Sequence, residues 1–249
     1  MKIKRNTTDI IRVLNSELNT DKYKNNAHSM LKNHQYLIKT FFKNVEFDDV
    51  KGVLLYHKMG TGKTILSISI ALDFDGNVIL FMNASLINNY IDNIKKYLTL
   101  IKIDKNIDEF IKSKFTFISL NASNLHKKIP TDLKNKLIII DEAHHVFSGV
   151  LNGSMNNVEL YYALRNEPDL KILLLTGTPI INDPYEIMIC LNLLSKILIF
   201  PESYDDFITT YSDIKSNNQI LYKHRLEKFK NRIVGLVSFF EQKINDEYP

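Results

Sequence analysis

Five short runs of the 249-residue chain are apolar along their whole length: GVLLYH (52–57), NVILFMN (77–83), TFISL (116–120), LIIID (137–141) and KILLLTGT (171–178). Between them lie stretches with helical spacing, among them QYLIKTFF (35–42), ILSISIALDF (65–74) and residues 85–98, 158–165 and 185–194. A strand that is apolar on both faces must be covered on both faces. Such strands alternating with helices predict an α/β fold, a mainly parallel sheet with helices on both sides. After Pro201 the pattern turns mostly helical and more charged. LYKHRLEKFKNR (221–232) reads as a basic helix and IVGLVSFF (233–240) as a strand-like run. Residues 1–28 are polar, with a short apolar stripe at Ile10, Ile11 and Leu14 that suits a turn or two of helix.

Composition excludes several classes. The single cysteine, Cys190, forbids an internal disulfide and reads as a small buried hydrophobe. No apolar run approaches the roughly 18 residues of a membrane span. The opening MKIKRNTTDIIRVLNS lacks the apolar block of a signal peptide, so the N-x-[ST] matches at Asn6, Asn83, Asn121 and Asn152 read as chance in a chain with 26 Asn. A net charge of +4 permits a polyanionic partner without requiring one. Usage of 27 Lys against 5 Arg, with 32 Ile, resembles that of an AT-rich genome.

HKMGTGKT (57–64) follows the first apolar run and opens a helix. That is the setting of a phosphate-binding loop. Gly60 and Gly62 let the backbone turn its N–H groups toward phosphate oxygens, and the helix start adds its positive dipole end. Lys63 is placed to reach the β/γ-phosphates and Thr64 to ligate Mg²⁺. His57 stands where the general pattern has glycine. LIIIDEAHH (137–145) puts Asp141 and Glu142 at the carboxyl end of another apolar strand, where open α/β sheets bind ligands. An Asp there can hold Mg²⁺ and the following Glu can deprotonate water, or both can cap the next helix. KILLLTGTPIIND (171–183) ends a third strand in Thr-Gly-Thr-Pro. Gly177 and Pro179 supply turn chemistry, and Thr176 and Thr178 are placed either for that alone or to hydrogen-bond His144.

Taken together and in this order, the loop, Asp141-Glu142-Ala143-His144 and Thr176-Gly177-Thr178-Pro179 resemble the first three motifs of the first motor domain of superfamily-two helicases and translocases. The resemblance runs over about 31–211. KMGTGKT, LLLTGTPIIND and PESYDDFITTY are similar to the Swi/Snf-like branch and its viral relatives. It implies a RecA-like P-loop domain with ATP and Mg²⁺ as cofactors. It implies an ATP site of Gly60, Thr61, Gly62, Lys63 and Thr64, with Gln35 reading adenine from LKNHQYLIKTFF (31–42). Lys63, Asp141 and Glu142 are the implied catalytic set, with Thr64 and Asp141 on the metal and His144, Thr176 and Thr178 coupling the site to the rest of the motor. LFMNASLINNYIDNIKKY (80–97) resembles the segment that grips a nucleic-acid backbone, here through Asn83 and Ser85; Ser85 as a plain helix cap is the competing reading. FISLNAS (117–123) resembles a further backbone contact, and GLVSFFE (235–241) a stretch of poxvirus-type transcription ATPases.

The resemblance therefore predicts an ATP-dependent helicase or translocase acting on DNA or RNA in viral transcription. The alternative is a nucleotide-dependent scaffold acting through protein contacts. Expected divisions are a polar extension over 1–28, a motor domain over 29–200, and a mostly helical extension over 201–249. That extension leads toward a second RecA-like domain, since no arginine-finger motif is present. Expected partners are the nucleic-acid backbone, that second domain and a transcription complex, with no membrane, in the host cytoplasm or virion.

Overall fold

The computed structural model describes residue 10 and residues 31–44, 49–103, 106–215, 218–221 and 223–241. The stripe expected within 1–28 lies outside them apart from Ile10, which packs against the core. In chain order the elements are α1 (Asn33–Asn44), β1 (Gly52–His57), α2 (Lys63–Asp73), β2 (Val78–Met82), α3 (Ala84–Leu100), α4 (Ile107–Lys114), β3 (Phe115–Ser119), α5 (Leu125–Lys128), β4 (Leu137–Asp141), α6 (His144–Leu151), α7 (Met155–Asn166), β5 (Lys171–Thr176), α8 (Tyr185–Leu193), α9 (Tyr204–Tyr211), β6 (Ser212–Lys215), β7 (Asn218–Leu221), α10 (Lys223–Ile233) and β8 (Val237–Phe240).

Six strands form one sheet in the order β3-β2-β4-β5-β1-β8, with every pair parallel. The strands read apolar throughout because successive side chains enter different cores. Ile138 and Ile140 of β4, with Ile172 and Leu174 of β5, pack under α6, α7 and α8 through Phe147, Leu160, Leu164 and Met188. Leu137, Ile139, Leu173 and Leu175 face the opposite side, against Leu66, Ile68 and Ile70 of α2 and Tyr90, Ile94 and Leu98 of α3. Each such aliphatic side chain is fully buried and stabilises the fold by about 1.5–3 kcal/mol. Cys190 sits in the first of these cores, where burial pushes its thiol pKa well up, as suits a packing residue.

The expected 233–240 strand divides. α10 ends at Ile233, the chain turns through Gly235 at φ 78°, and only Val237 onward is extended. This short strand docks beside β1 as the sixth member of the sheet. β6 and β7 pair antiparallel as a separate two-stranded sheet. At the amino end of the sheet, Lys51 is almost fully buried and donates to the carbonyls of Leu164, Arg165 and Glu167 at 2.8, 3.0 and 3.2 Å, capping the end of α7. Among the described residues no helix is long and apolar enough to cross a membrane.

Candidate active site

The strand register brings three chain reversals to one edge. Tyr56 pairs with Thr176 and Asp141 with Leu175, so β1, β4 and β5 end level with one another. The loop after β1 turns through Gly60 and Gly62, at φ 77° and 85°. α2 then begins at Lys63 with no side chain capping its first N–H groups, which leaves them directed at a would-be anion. Thr61 closes the turn by donating its hydroxyl to the Lys58 carbonyl at 2.7 Å. Gln35 of α1 is buried against this loop. Its amide donates to the carbonyls of Thr61 and Gly62 at 3.3 and 3.0 Å, and its Oε1 accepts from the Lys32 N–H at 2.8 Å. A Cβ at residue 62 would lie 2.3 Å from that amide nitrogen and displace the Gln35 side chain from the loop, and the backbone angle itself favours glycine.

Lys63 folds back over the loop and donates to the His57 carbonyl at 2.6 Å and the Lys58 carbonyl at 3.3 Å. Desolvation lowers its pKa, while Glu142 and Asp141 pull it back up. The Asp141 carboxyl has the opposite problem. Burial and then the neighbouring Glu142 raise its pKa, against one N–H donated by Glu142 at 3.2 Å and the charge of Lys63. Glu142 itself is held at φ 49°, a left-handed conformation uncommon for this residue type. Its carboxylate lies 3.3 Å from His144 Nδ1.

His144 is the hinge between the second and third strand ends. Its Nδ1 is 2.7 Å from Thr176 Oγ1 and 3.5 Å from Thr178 Oγ1. Thr176 donates its hydroxyl to the Thr178 carbonyl and accepts the Thr178 N–H, at 3.1 and 3.0 Å. With that hydroxyl proton committed, the network assigns the proton between them to His144 Nδ1. Desolvation lowers the His144 pKa, which favours the neutral ring. Of the two readings of the Thr-Gly-Thr-Pro turn, the geometry therefore includes the bond to His144. His145 points to solvent beside it.

Asn83 and Ser85 stand apart from this cluster, at the carboxyl end of β2. Three strand spacings, roughly 14 Å, separate that end from the β1 loop. Asn83, and not Ser85, occupies the cap position of α3; its side chain makes no cap bond, and Ser85 is exposed in the first turn.

The loop also has a partner that spacing did not reveal. His57 is fully buried and its Nε2 lies 3.1 Å from Ser238 Oγ on β8. The Lys58 N–H donates to the Phe240 carbonyl at 3.2 Å, Lys58 pairs with Glu241, and the Phe240 ring stacks on His34 at 3.7 Å. The residue that departs from the glycine pattern thus braces the loop against the last strand. The only sequence signal for it was the departure itself.

A glycine-turned loop between a buried strand and an uncapped helix, facing an acidic strand end across a parallel sheet, defines a RecA-like P-loop nucleotide-binding domain. The chain belongs to the family described as Type III restriction enzyme, res subunit, whose model matches residues 19–181. A termination factor NPH-I homolog of African swine fever virus is 34% identical over 239 residues, covering 88% of this chain and 33% of that protein. The early transcription factor 70 kDa subunit of Melanoplus sanguinipes entomopoxvirus is 30% identical over 225 residues, covering 86% of this chain and 32% of that protein. The chain spans about a third of the length of these relatives. Among solved structures, the Sulfolobus solfataricus SWI2/SNF2 ATPase core in complex with dsDNA superposes with a TM-score of 0.52 at 18% identity, over 85% of this chain and 42% of that one. That likeness is one of fold.

Proposed function

We propose that this chain is the ATP-binding first motor domain of a nucleic-acid helicase or translocase serving viral transcription. The observation that carries the reading is the joining of two strand ends through one side chain: His144 touches Glu142 after β4 and Thr176 and Thr178 after β5, at the same sheet edge as the phosphate loop. A nucleotide-binding site with no outward task has no need of that link. The names of the viral relatives, a termination factor homolog and an early transcription factor subunit, supply the transcription context.

In this reading Lys63 leaves the carbonyls of His57 and Lys58 for the β/γ-phosphates, and the N–H groups of 60–64 line the phosphate chain. Thr64 and Asp141 offer hard oxygen ligands that would suit Mg²⁺, and the Asp141 carboxyl accepts only the Glu142 N–H among the hydrogen bonds of the described residues. Bound there, Mg²⁺ supplies charge neutralisation on the phosphates. Glu142 orients the attacking water and takes its proton. Gln35, already seated on the loop, is the adenine-reading candidate. The first turn of α3, with Asn83 and Ser85, offers N–H groups to a nucleic-acid phosphate. A second RecA-like domain would supply the arginine that stabilises the transition state. Of the described arginines, Arg165 donates to the carbonyls of Ser195 and Lys196 near the amino end of the sheet, and Arg232 packs on Tyr211 and Phe200. The test is steady-state ATPase of the full-length protein with and without DNA or RNA. Stimulation by either is expected; turnover indifferent to both would reject the motor reading.

A further inference from the structure

Glu186 lies in the first turn of α8 and is fully buried. Burying an ionised carboxylate is costly unless donors surround it. Here Oε2 accepts the N–H groups of Ile181 and Asn182 at 2.7 and 3.4 Å, and Oε1 accepts from Asn182 Nδ2 at 3.3 Å. The positive end of the α8 dipole adds to this. Capping the helix does not require Glu186, because Asp183 Oδ1 already accepts the Tyr185 N–H at 2.7 Å. The carboxylate instead holds the turn that follows β5. The same Asn182 amide reaches on to Ser148 Oγ of α6 at 2.9 Å. His144 and Ser148 are four residues apart on α6 and so share a face. α6 is thus tied to the 176–186 segment from two of its residues: His144, its first, to Thr176 and Thr178, and Ser148, one turn later, to Asn182.

We infer that Glu186 is a positioning residue: with Asn182 and Ser148 it locks the turn after β5 onto the helix that carries His144, so that the two answer nucleotide occupancy as one rigid piece. This rests on the nucleotide reading of the phosphate loop. Without the lock, the contacts of His144 with Thr176 and Thr178 are the remaining pivot, and the part of the turn beyond Thr178 can swing about it. With the lock, a shift of Glu142 and His144 on filling of the site is delivered to the turn and to the exposed side chains of Ile180 and Ile181 that it carries.

The test is hydrogen–deuterium exchange on the full chain, with and without Mg·ATP, beside a fluorescence titration with an ATP analogue. In the wild type, Mg·ATP should protect 177–183. Glu186→Ala should raise exchange at 180–182 by about tenfold or more without nucleotide, keep nucleotide affinity within about twofold, and lose the ATP-dependent protection. Ser148→Ala leaves the carboxylate in place; it should keep low exchange without nucleotide yet lose the protection. Glu186→Gln retains one acceptor and should restore part of both effects. Wild-type exchange at 180–182 in Glu186→Ala, or ATP-dependent protection intact in Ser148→Ala, would overturn the inference. If Glu186→Ala fails to fold, Ser148→Ala and Glu186→Gln decide it. A wild type that binds no nucleotide would reject the nucleotide reading, whereas the nucleotide-free exchange of the Ile181 and Asn182 amides would still judge the lock.

Discussion

Lowering the pH from 7 to 5 should remove about 2 kcal/mol of folding stability through His57 alone. The imidazole is fully buried beneath the phosphate loop, and Ser238 Oγ at 3.1 Å is its hydrogen-bonding neighbour. Burial first, then the charges of His34 and Lys63, bring its pKa down to about 4. In the unfolded chain it returns to about 6.5. Between those values the unfolded state binds more protons than the native one, so stability is present above pH 6.5 and is lost as the pH falls toward 4. At pH 5 the unfolded ring is almost wholly protonated and the native ring is about one-tenth protonated, which gives the figure above. The assay is urea unfolding at several pH values on the wild type and on His57→Gln. That variant keeps a polar group toward Ser238 but does not titrate. Carboxylates contribute equally to both proteins, so the difference between the two pH slopes isolates His57. Parallel slopes between pH 7 and 5 would refute the reasoning.

Other perturbations follow from the same geometry. Glu142→Gln should retain Mg·ATP binding and slow hydrolysis by the full-length protein by ~10²–10⁴-fold; wild-type turnover would remove Glu142 from the role of base. Gly52→Ala puts a Cβ 1.9 Å from the Ile172 carbonyl oxygen in the middle of the sheet, and should cost more than about 3 kcal/mol or prevent folding. A thermal unfolding midpoint like that of the wild type would contradict this close approach. Lys51→Met strands three carbonyls and should destabilise by about 1–3 kcal/mol. Because burial lowers the Lys51 pKa to about 8 from about 10.5, the wild type should gain stability as pH rises between those values. The variant should lack that gain, which urea midpoints at pH 8 and 10 would measure.

Much of the architecture is written locally. Strands covered on both faces must be apolar throughout, so LIIID and KILLLTGT announce themselves without their neighbours. The phosphate loop is legible because its left-handed turns need glycine, and Asp141 and Glu142 because acidic residues seldom end a buried strand idly. What was hidden depends on contacts far apart in the chain. His57 and Ser238 are 181 residues apart, and neither residue type predicts the other. The strand-like run over 233–240 took in the helix end and the turn before β8 because Ile233, Val234 and Leu236 continue the apolar pattern across Gly235. Nothing in YEIMICLNL marks the role of Glu186, whose partners are the N–H groups of the turn before it. The competing reading of Ser85 as a helix cap rested on serine being a common one, but the extended residue before the helix is Asn83.

The claim on which everything else depends is that HKMGTGKT holds the phosphates of ATP, and a fluorescence titration of a Mg·ATP analogue into the wild type and Lys63→Ala tests it most directly. Among the described residues Lys63 hydrogen-bonds the carbonyls of its own loop alone, so its loss should leave the thermal unfolding midpoint nearly unchanged. Saturable binding by the wild type and a loss of binding in a folded Lys63→Ala protein are expected. Equal affinity in the two proteins would contradict the claim.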